Sequence, residues 1–148
     1  MMEKRINIHA IAPQAYDAVL ALEKYLAKSE ISRTLKELIK IRASQINGCA
    51  FCIDMHTKDA LKNGETNQRI FLLDAWREVS GFFTEEERIT LAMTEEITHI
   101  SKNGLSDETY QKAITVFGEN KVAEIIMTVV TINAWNRIAV STRMEVAG

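Results

Sequence analysis

The chain contains two cysteines, Cys49 and Cys52, and they stand as a C-x-x-C pair. His56 follows the second by four residues, Glu37 precedes the first by twelve, and Asn47-Gly48 breaks the chain immediately upstream. Two thiols, an imidazole and a carboxylate suffice for redox chemistry and, in principle, for a metal. A C-x-x-C at a helix start faces first-turn amides that carry partial positive charge. A thiolate there is stabilised, and its pKa falls from about 8.5 into the range of about 3.5–7.5. Helical residues three apart have Cβ atoms about 5–6 Å from each other. A disulfide prefers about 3.5–4.5 Å, so a small first-turn adjustment closes the pair.

His56 gives the pair a direction. It lies one helical turn beyond Cys52 and on the same face. There it can take the proton of the Cys52 thiol or support its thiolate as an ion pair. Cys49 is two turns away from His56. This geometry makes Cys52 the activated nucleophile and Cys49 the resolving thiol. Three other readings compete. A c-type haem site needs His directly after the second cysteine, where Ile53 stands. A structural zinc site needs four ligands; Cys49, Cys52, His56 and Glu37 could supply them, but the chain has no second C-x-x-C or H-x-x-H. Inert buried cysteines do not explain the histidine at i+4 or the break before the pair.

The elements around the pair read as helices. Pro13 suits a first turn, and Tyr16, Val19, Leu20, Leu22 and Leu26 give an apolar face as far as about Lys28, after an extended lead-in over residues 1–12. Ser32 can cap a second helix that carries Leu35, Leu38, Ile39, Arg42 and Ile46 and ends at Asn47-Gly48. A third runs from near Cys49 to Asn63-Gly64. A fourth runs from about Thr66 to Val79, with Ile70, Phe71, Leu73, Ala75 and Trp76 expected inside. Thr84 and Glu87 form a capping box that opens a fifth, to about Ser101. Ser106-Asp107 opens a sixth that closes at Phe117-Gly118, and a seventh runs from Asn120 to about Met144. This last helix is apolar on most sides, as a central or subunit-interface helix would be. His9 reads as a surface or packing residue and His99 as a helix C-terminal residue. No strand pattern or internal repeat is present. The expected fold is all-α, one domain over residues 1–148 built as a bundle of about seven helices.

Composition agrees: 47% of residues are hydrophobic, with six glycines and one proline, so breakers are few. The 18 basic residues against 20 acidic ones leave a net charge of -2 and no basic track, which argues against nucleic acid. The apolar run Ile125–Ile132 is too short to span a bilayer, and the N-terminus does not read as a signal peptide. The expected location is the cytoplasm, where a lone C-x-x-C is more often catalytic or metal-binding than structural.

The pattern E-x(11)-C-x-x-C-x-x-x-H at Glu37, Cys49, Cys52 and His56 resembles the alkylhydroperoxidase D-like branch of the carboxymuconolactone decarboxylase superfamily. So do INGCAFCIDMHTKDA, FLLDAWREVSGFFTEEERITLAMTEEIT and INAWNRIAVSTR, and the resemblance covers residues 30–143. It implies an all-helical subunit that assembles into homo-trimers or hexamers. It also implies an antioxidant peroxidase that needs no metal or organic cofactor, only an external thiol reductant of small-thiol, lipoyl or thioredoxin-like type. In that family the second cysteine attacks hydroperoxide and the first resolves, which maps to Cys52 and Cys49. The proton relay maps to His56 and Glu37, and the role of Glu37 rests on the resemblance alone. Alkylhydroperoxidase D carries a second histidine between its cysteines; here that position is Phe51, which cannot relay protons. Carboxymuconolactone decarboxylases lack the C-x-x-C pair, so decarboxylation is not expected. A general thiol–disulfide oxidoreductase or a redox sensor is the alternative reading.

Overall fold

The structure, a computed structural model, describes residues 3–148. Among the described residues it has seven α-helices, one 3-10 helix and no strand. The α-helices are α1 (Ile8–Ile11), α2 (Pro13–Ala27), α3 (Arg33–Asn47), α4 (Ala50–Lys62), α5 (Asn67–Leu72), α6 (Glu85–Thr98) and α7 (Asp107–Thr142); the 3-10 helix, Leu73–Glu78, follows α5 directly. Among the described residues no helix is long and apolar enough to cross a membrane. The all-α expectation holds.

Local chemistry sets most of the boundaries. The hydroxyls of Ser32, Thr66, Thr84 and Ser106 each accept the N–H of the residue three positions on, and so start α3, α5, α6 and α7. Thr84 and Glu87 complete the capping box, with the Thr84 N–H donating to Glu87 at 2.8 Å. Gly48 ends α3 at φ 64°, a left-handed conformation that glycine adopts without a Cβ clash.

Helix α3 is the hub. Its Ile39 and Ala43 join Met93 of α6 and Ile125, Val129 and Ile132 of α7 in one core cluster, all fully buried or nearly so. Its opposite edge sends Leu38 and Ile41 into a second cluster with Ala60, Leu73, Trp76 and Leu91. A side chain such as Ile39 or Ile41, fully removed from water, stabilises the fold by about 1.5–3 kcal/mol. With neighbours on both sides, α3 carries the break before the C-x-x-C pair on an element packed against both core clusters.

Three sequence expectations differ from the structure. The lead-in over residues 1–12 falls partly outside the described residues; within them it contains α1, because the Asn7 side chain accepts the Ala10 N–H at 3.0 Å and caps a turn. The fourth helix does not stay α-helical to Val79. After Leu72 it tightens to three residues per turn, which keeps Leu73 and Trp76 on one side and inside. Ala75 is non-helical and exposed, and Phe71 is 76% exposed instead of buried. The break expected between the sixth and seventh helices is present at Gly118 (φ 78°, ψ 168°); the two helices follow each other without a loop, and α7 denotes both. Finally, α7 is not enclosed on all sides, since Val130 and Val140 are 41% and 47% exposed.

Candidate active site

The position of the cysteines is fixed from α3 and α7. Asn47, the last residue of α3, donates from Nδ2 to Oδ1 of both Asn133 and Asn136 of α7, at 2.9 Å each. Asn136, 1% exposed, donates to Ser44 Oγ at 3.0 Å, and Ser44 donates to the Lys40 carbonyl at 2.6 Å. Buried amides held this way leave few unmet groups and a single register. The Cys49 N–H then reaches back to the Ser44 carbonyl at 3.0 Å, closing the helix end around Gly48.

Cys49 is itself the N-cap of α4. Its sulfur accepts the Cys52 N–H at 3.3 Å, so the pair stands at the helix terminus where the sequence places it. Cys49 and Cys52 are joined in a disulfide with their Cα atoms 5.3 Å apart, and each residue is 1% exposed. Around the bond pack Ala139 of α7 and Phe51.

A cavity of about 320 Å³ opens beside the disulfide, enclosed by α2, α3, α4 and α7. Its wall is mainly apolar, with Leu20, Phe51, Met55, Trp135 and Met144 among its lining. Cys52 and His56 line it; Cys49 does not. The site is therefore asymmetric, and one sulfur of the pair meets whatever enters.

His56 is 9% exposed and makes no hydrogen bond to protein among the described residues. Burial is the main cause that pushes its imidazole down to about 4; the Lys40 ammonium adds to this, and Asp59 and Glu23 oppose it. With the disulfide closed, His56 is thus neutral at physiological pH. A neutral imidazole can accept a proton, so the geometry suits a base better than a resident cation.

Glu37 lies elsewhere. Its carboxylate accepts Asn63 Nδ2 at 2.9 Å, near the far end of α4, and stands 3.4 Å from Arg33. It does not line the cavity. The structure thus brings Cys49, Cys52 and His56 together and leaves Glu37 with Asn63. Among the described residues no three His, Cys, Asp or Glu side chains form a cluster that could hold a metal ion.

Sequence reasoning missed the charged pair that does reach the cavity. Glu23 of α2 accepts the Trp135 indole N–H at 3.0 Å and faces Lys40 Nζ at 3.6 Å. Both residues line the cavity beside Cys52 and His56. One signal was available. Tyr16, Leu20 and Glu23 fall at i, i+4 and i+7, so a carboxylate interrupts an otherwise apolar stripe of α2. Lys40 offered less, because its relation to Cys52 exists only once α3 and α4 pack.

This bundle, with its disulfide at a helix start, defines a class of small all-helical proteins built around a cysteine pair. The carboxymuconolactone decarboxylase family model matches residues 13–95, and the chain belongs to that family. It is 44% identical over 140 residues to the uncharacterized protein YdfG of Bacillus subtilis, covering 95% of each chain. Among solved structures it is similar to a protein of unknown function from Agrobacterium tumefaciens proposed to be the antioxidant defence protein AhpD. That likeness has 39% identity, a TM-score of 0.93 and 99% of each chain covered. The debrominase Bmp8 shares the fold alone, at 19% identity and a TM-score of 0.81, over 94% of this chain and 74% of its own.

Proposed function

We propose that the protein is a thiol-dependent reductase of hydroperoxides, with Cys52 as the attacking thiol. The observation that carries this reading is the asymmetry of the site: Cys52, and not Cys49, lines an apolar cavity together with His56. The likeness to the Agrobacterium protein supports the same direction.

In the reduced enzyme, neutral His56 takes the Cys52 proton as the thiolate forms at the N-terminus of α4. The thiolate attacks the terminal oxygen of ROOH. An S–O bond forms, the O–O bond breaks, and the departing RO⁻ takes the proton from His56, leaving Cys52–SOH and ROH. Cys49–SH then displaces water from the sulfenic acid to give the Cys49–Cys52 disulfide. A dithiol donor reopens the pair by exchange through a mixed disulfide and leaves oxidised. The mainly apolar walls favour an organic hydroperoxide over hydrogen peroxide.

The reductant must be slender. Both cysteines are 1% exposed, so a small thiol or a lipoyl-type arm fits the approach better than a protein face. No bound organic cofactor or metal enters the scheme. Glu37 acts at one remove: we assign it to holding the α3–α4 contact through Asn63, since its carboxylate is engaged there and not at His56. Assembly into a homo-oligomer is part of the proposal. It is supported by Phe71 and Leu61, 76% and 41% exposed, which border one groove on α4 and α5.

The deciding experiment treats reduced protein with cumene hydroperoxide and maps Cys49 and Cys52 by mass, with a panel of thiol donors measured for turnover. Wild type should close the disulfide with stoichiometric alcohol. Cys52→Ser should lose the reaction, and Cys49→Ser should stop at a sulfenic acid on Cys52. Rapid disulfide exchange with donors but no alcohol from the hydroperoxide would replace this reading with that of a thiol–disulfide oxidoreductase.

A further inference from the structure

A neutral His56 raises a question that the C-x-x-C geometry leaves open. Thiolate formation and O–O cleavage both place negative charge in an apolar cavity, and charge there is costly without a counter-charge. The helix N-terminus supplies part of one. Among the described residues one full positive charge lines the same cavity, that of Lys40.

Lys40 is unusual in how little its ammonium is bonded. It stands 3.6 Å from Glu23 Oε2, beyond hydrogen-bond distance, and makes no other side-chain hydrogen bond among the described residues. Its side chain is nonetheless only 19% exposed. The three N–H groups of this ammonium thus have no hydrogen-bond partner among the described residues and can meet a reactant. Glu23 is fixed more firmly, because the Trp135 indole N–H holds its other oxygen at 3.0 Å. Trp135 in turn packs edge-on against Tyr16 of α2, with ring centroids 5.1 Å apart. Together these contacts keep α2 on the site and keep a carboxylate beside Lys40.

We propose that Lys40 is a catalytic residue of this site, the cation that stabilises the Cys52 thiolate and the departing alkoxide, and that Glu23 is its positioning residue. The alkoxide part rests on the hydroperoxide reading above; the thiolate part does not. The charged and titratable groups that bear on Lys40 are few. Glu23 and the Tyr16 phenol face the cavity from α2, His56 faces it from α4, and Asp59 acts on His56. Lys36 lies one turn back on α3, where Glu124 of α7 and Glu23 offset its charge. From α7 the polar group at the cavity is the Trp135 indole, which is already bonded to Glu23.

The test measures the alkylation rate of Cys52 by iodoacetamide against pH, on reduced protein, with mass mapping to separate it from Cys49. Lys40→Met should raise the Cys52 pKa by about one unit, which makes alkylation about tenfold slower at pH values below it. Lys40→Arg should restore the wild-type profile. Glu23→Gln removes an anion from the cavity, which by charge alone lowers the Cys52 pKa; a raised pKa in this variant supports the positioning role, and a lowered one overturns it. Should Lys40→Met fail to fold, Lys40→Gln carries the same comparison against Lys40→Arg. A wild-type alkylation profile in the folded neutral variant would overturn the thiolate role. The second arm measures sulfenic acid formation from cumene hydroperoxide at a pH where Cys52 is fully ionised in every variant. A tenfold slower reaction in Lys40→Met supports the alkoxide role, and an unchanged one overturns it. Wild type that alkylates normally but does not react with hydroperoxide would end the peroxidase reading and leave the thiolate result standing.

Discussion

Arg69 and Lys40 are both partly buried cations of this bundle, and they are treated in opposite ways. Arg69, between α5 and α6, donates from Nε and both Nη atoms to Glu65, Glu87 and the Phe82 carbonyl, at 2.5–3.2 Å. Its ring neighbour Phe83 lies 4.9 Å beneath it. The Glu95 cluster is just as saturated: Arg42 and Trp76 donate to one oxygen at 2.8 and 3.1 Å, and Arg77 to the other. Burial alone would raise the carboxyls of Glu87 and Glu95, but these donors hold both below the usual range. On the cysteine side, Lys40 has a carboxylate near it but not bonded to it, and His56 has no protein hydrogen bond among the described residues. Saturated charges lock elements together. Unsaturated ones are available to a reactant.

The sharpest way to break this comparison is to remove each cation. Arg69→Met should destabilise the fold by about 3 kcal/mol, a figure at the low end for breaking buried pairs because a fifth of the guanidinium side chain is exposed. Hydroperoxide turnover per folded molecule should stay within about twofold of wild type, as chemistry that does not use Arg69 requires. Lys40→Met should invert that pattern. A loosely paired, part-exposed lysine contributes about 0–1 kcal/mol to stability, so the loss appears in Cys52 reactivity instead. Urea unfolding of both variants, with activity measured on the same samples, decides the matter. Equal losses of stability would mean that the two clusters do not differ in kind.

The next prediction concerns His56 in the oxidised protein. Its folded value, about 4, lies below the unfolded value of 6.5, so the unfolded chain takes the proton first. Stability from this group is therefore full above about pH 6.5 and is lost as pH falls towards 4. The loss is on the order of 2–3 kcal/mol across that window. His56→Gln should be flat there, so wild type minus variant isolates the imidazole from Glu87 and Glu95. Those carboxyls have depressed values and lose their contribution only lower, as pH falls through their own folded pKa values. A wild-type curve that matches His56→Gln from pH 7 to 4.5 would show that the imidazole is not desolvated.

What could be read in the sequence follows from which interactions are local. Caps at Ser32, Thr84 and Ser106, the stop at Gly48, and the shared face of Cys52 and His56 are decided within one or two turns, and all are visible in the chain. The exposure of Phe71 was not, because which face of α5 meets the core is set by how that helix packs in the bundle. Nor was the seam of Asn47, Asn133 and Asn136, whose members are 86 and 89 residues apart in the two bonds that Asn47 donates. Glu23 and Lys40 come to Cys52 from two other helices, and no spacing rule encodes that meeting. Such contacts are set by tertiary packing, which local pattern does not contain.

Glu37 gives the last and smallest test, and it bears on which side of the comparison a residue belongs. Its side chain is 12% exposed, and it accepts Asn63 at 2.9 Å while Arg33 stands at 3.4 Å, so it resembles the Glu95 cluster in miniature more than the cavity. Glu37→Gln preserves an acceptor for Asn63 and removes only the ion pair with an Arg33 that is 72% exposed. That change should cost less than about 0.5 kcal/mol, read as the urea midpoint, with turnover within about twofold of wild type. A relay carboxylate behaves otherwise. Neutralising it should leave stability alone and slow turnover by about 100-fold, the usual scale of a lost proton-transfer group, with a displaced acid limb in the pH profile. That outcome would move Glu37 to the reactive side and require His56 to reach it during turnover.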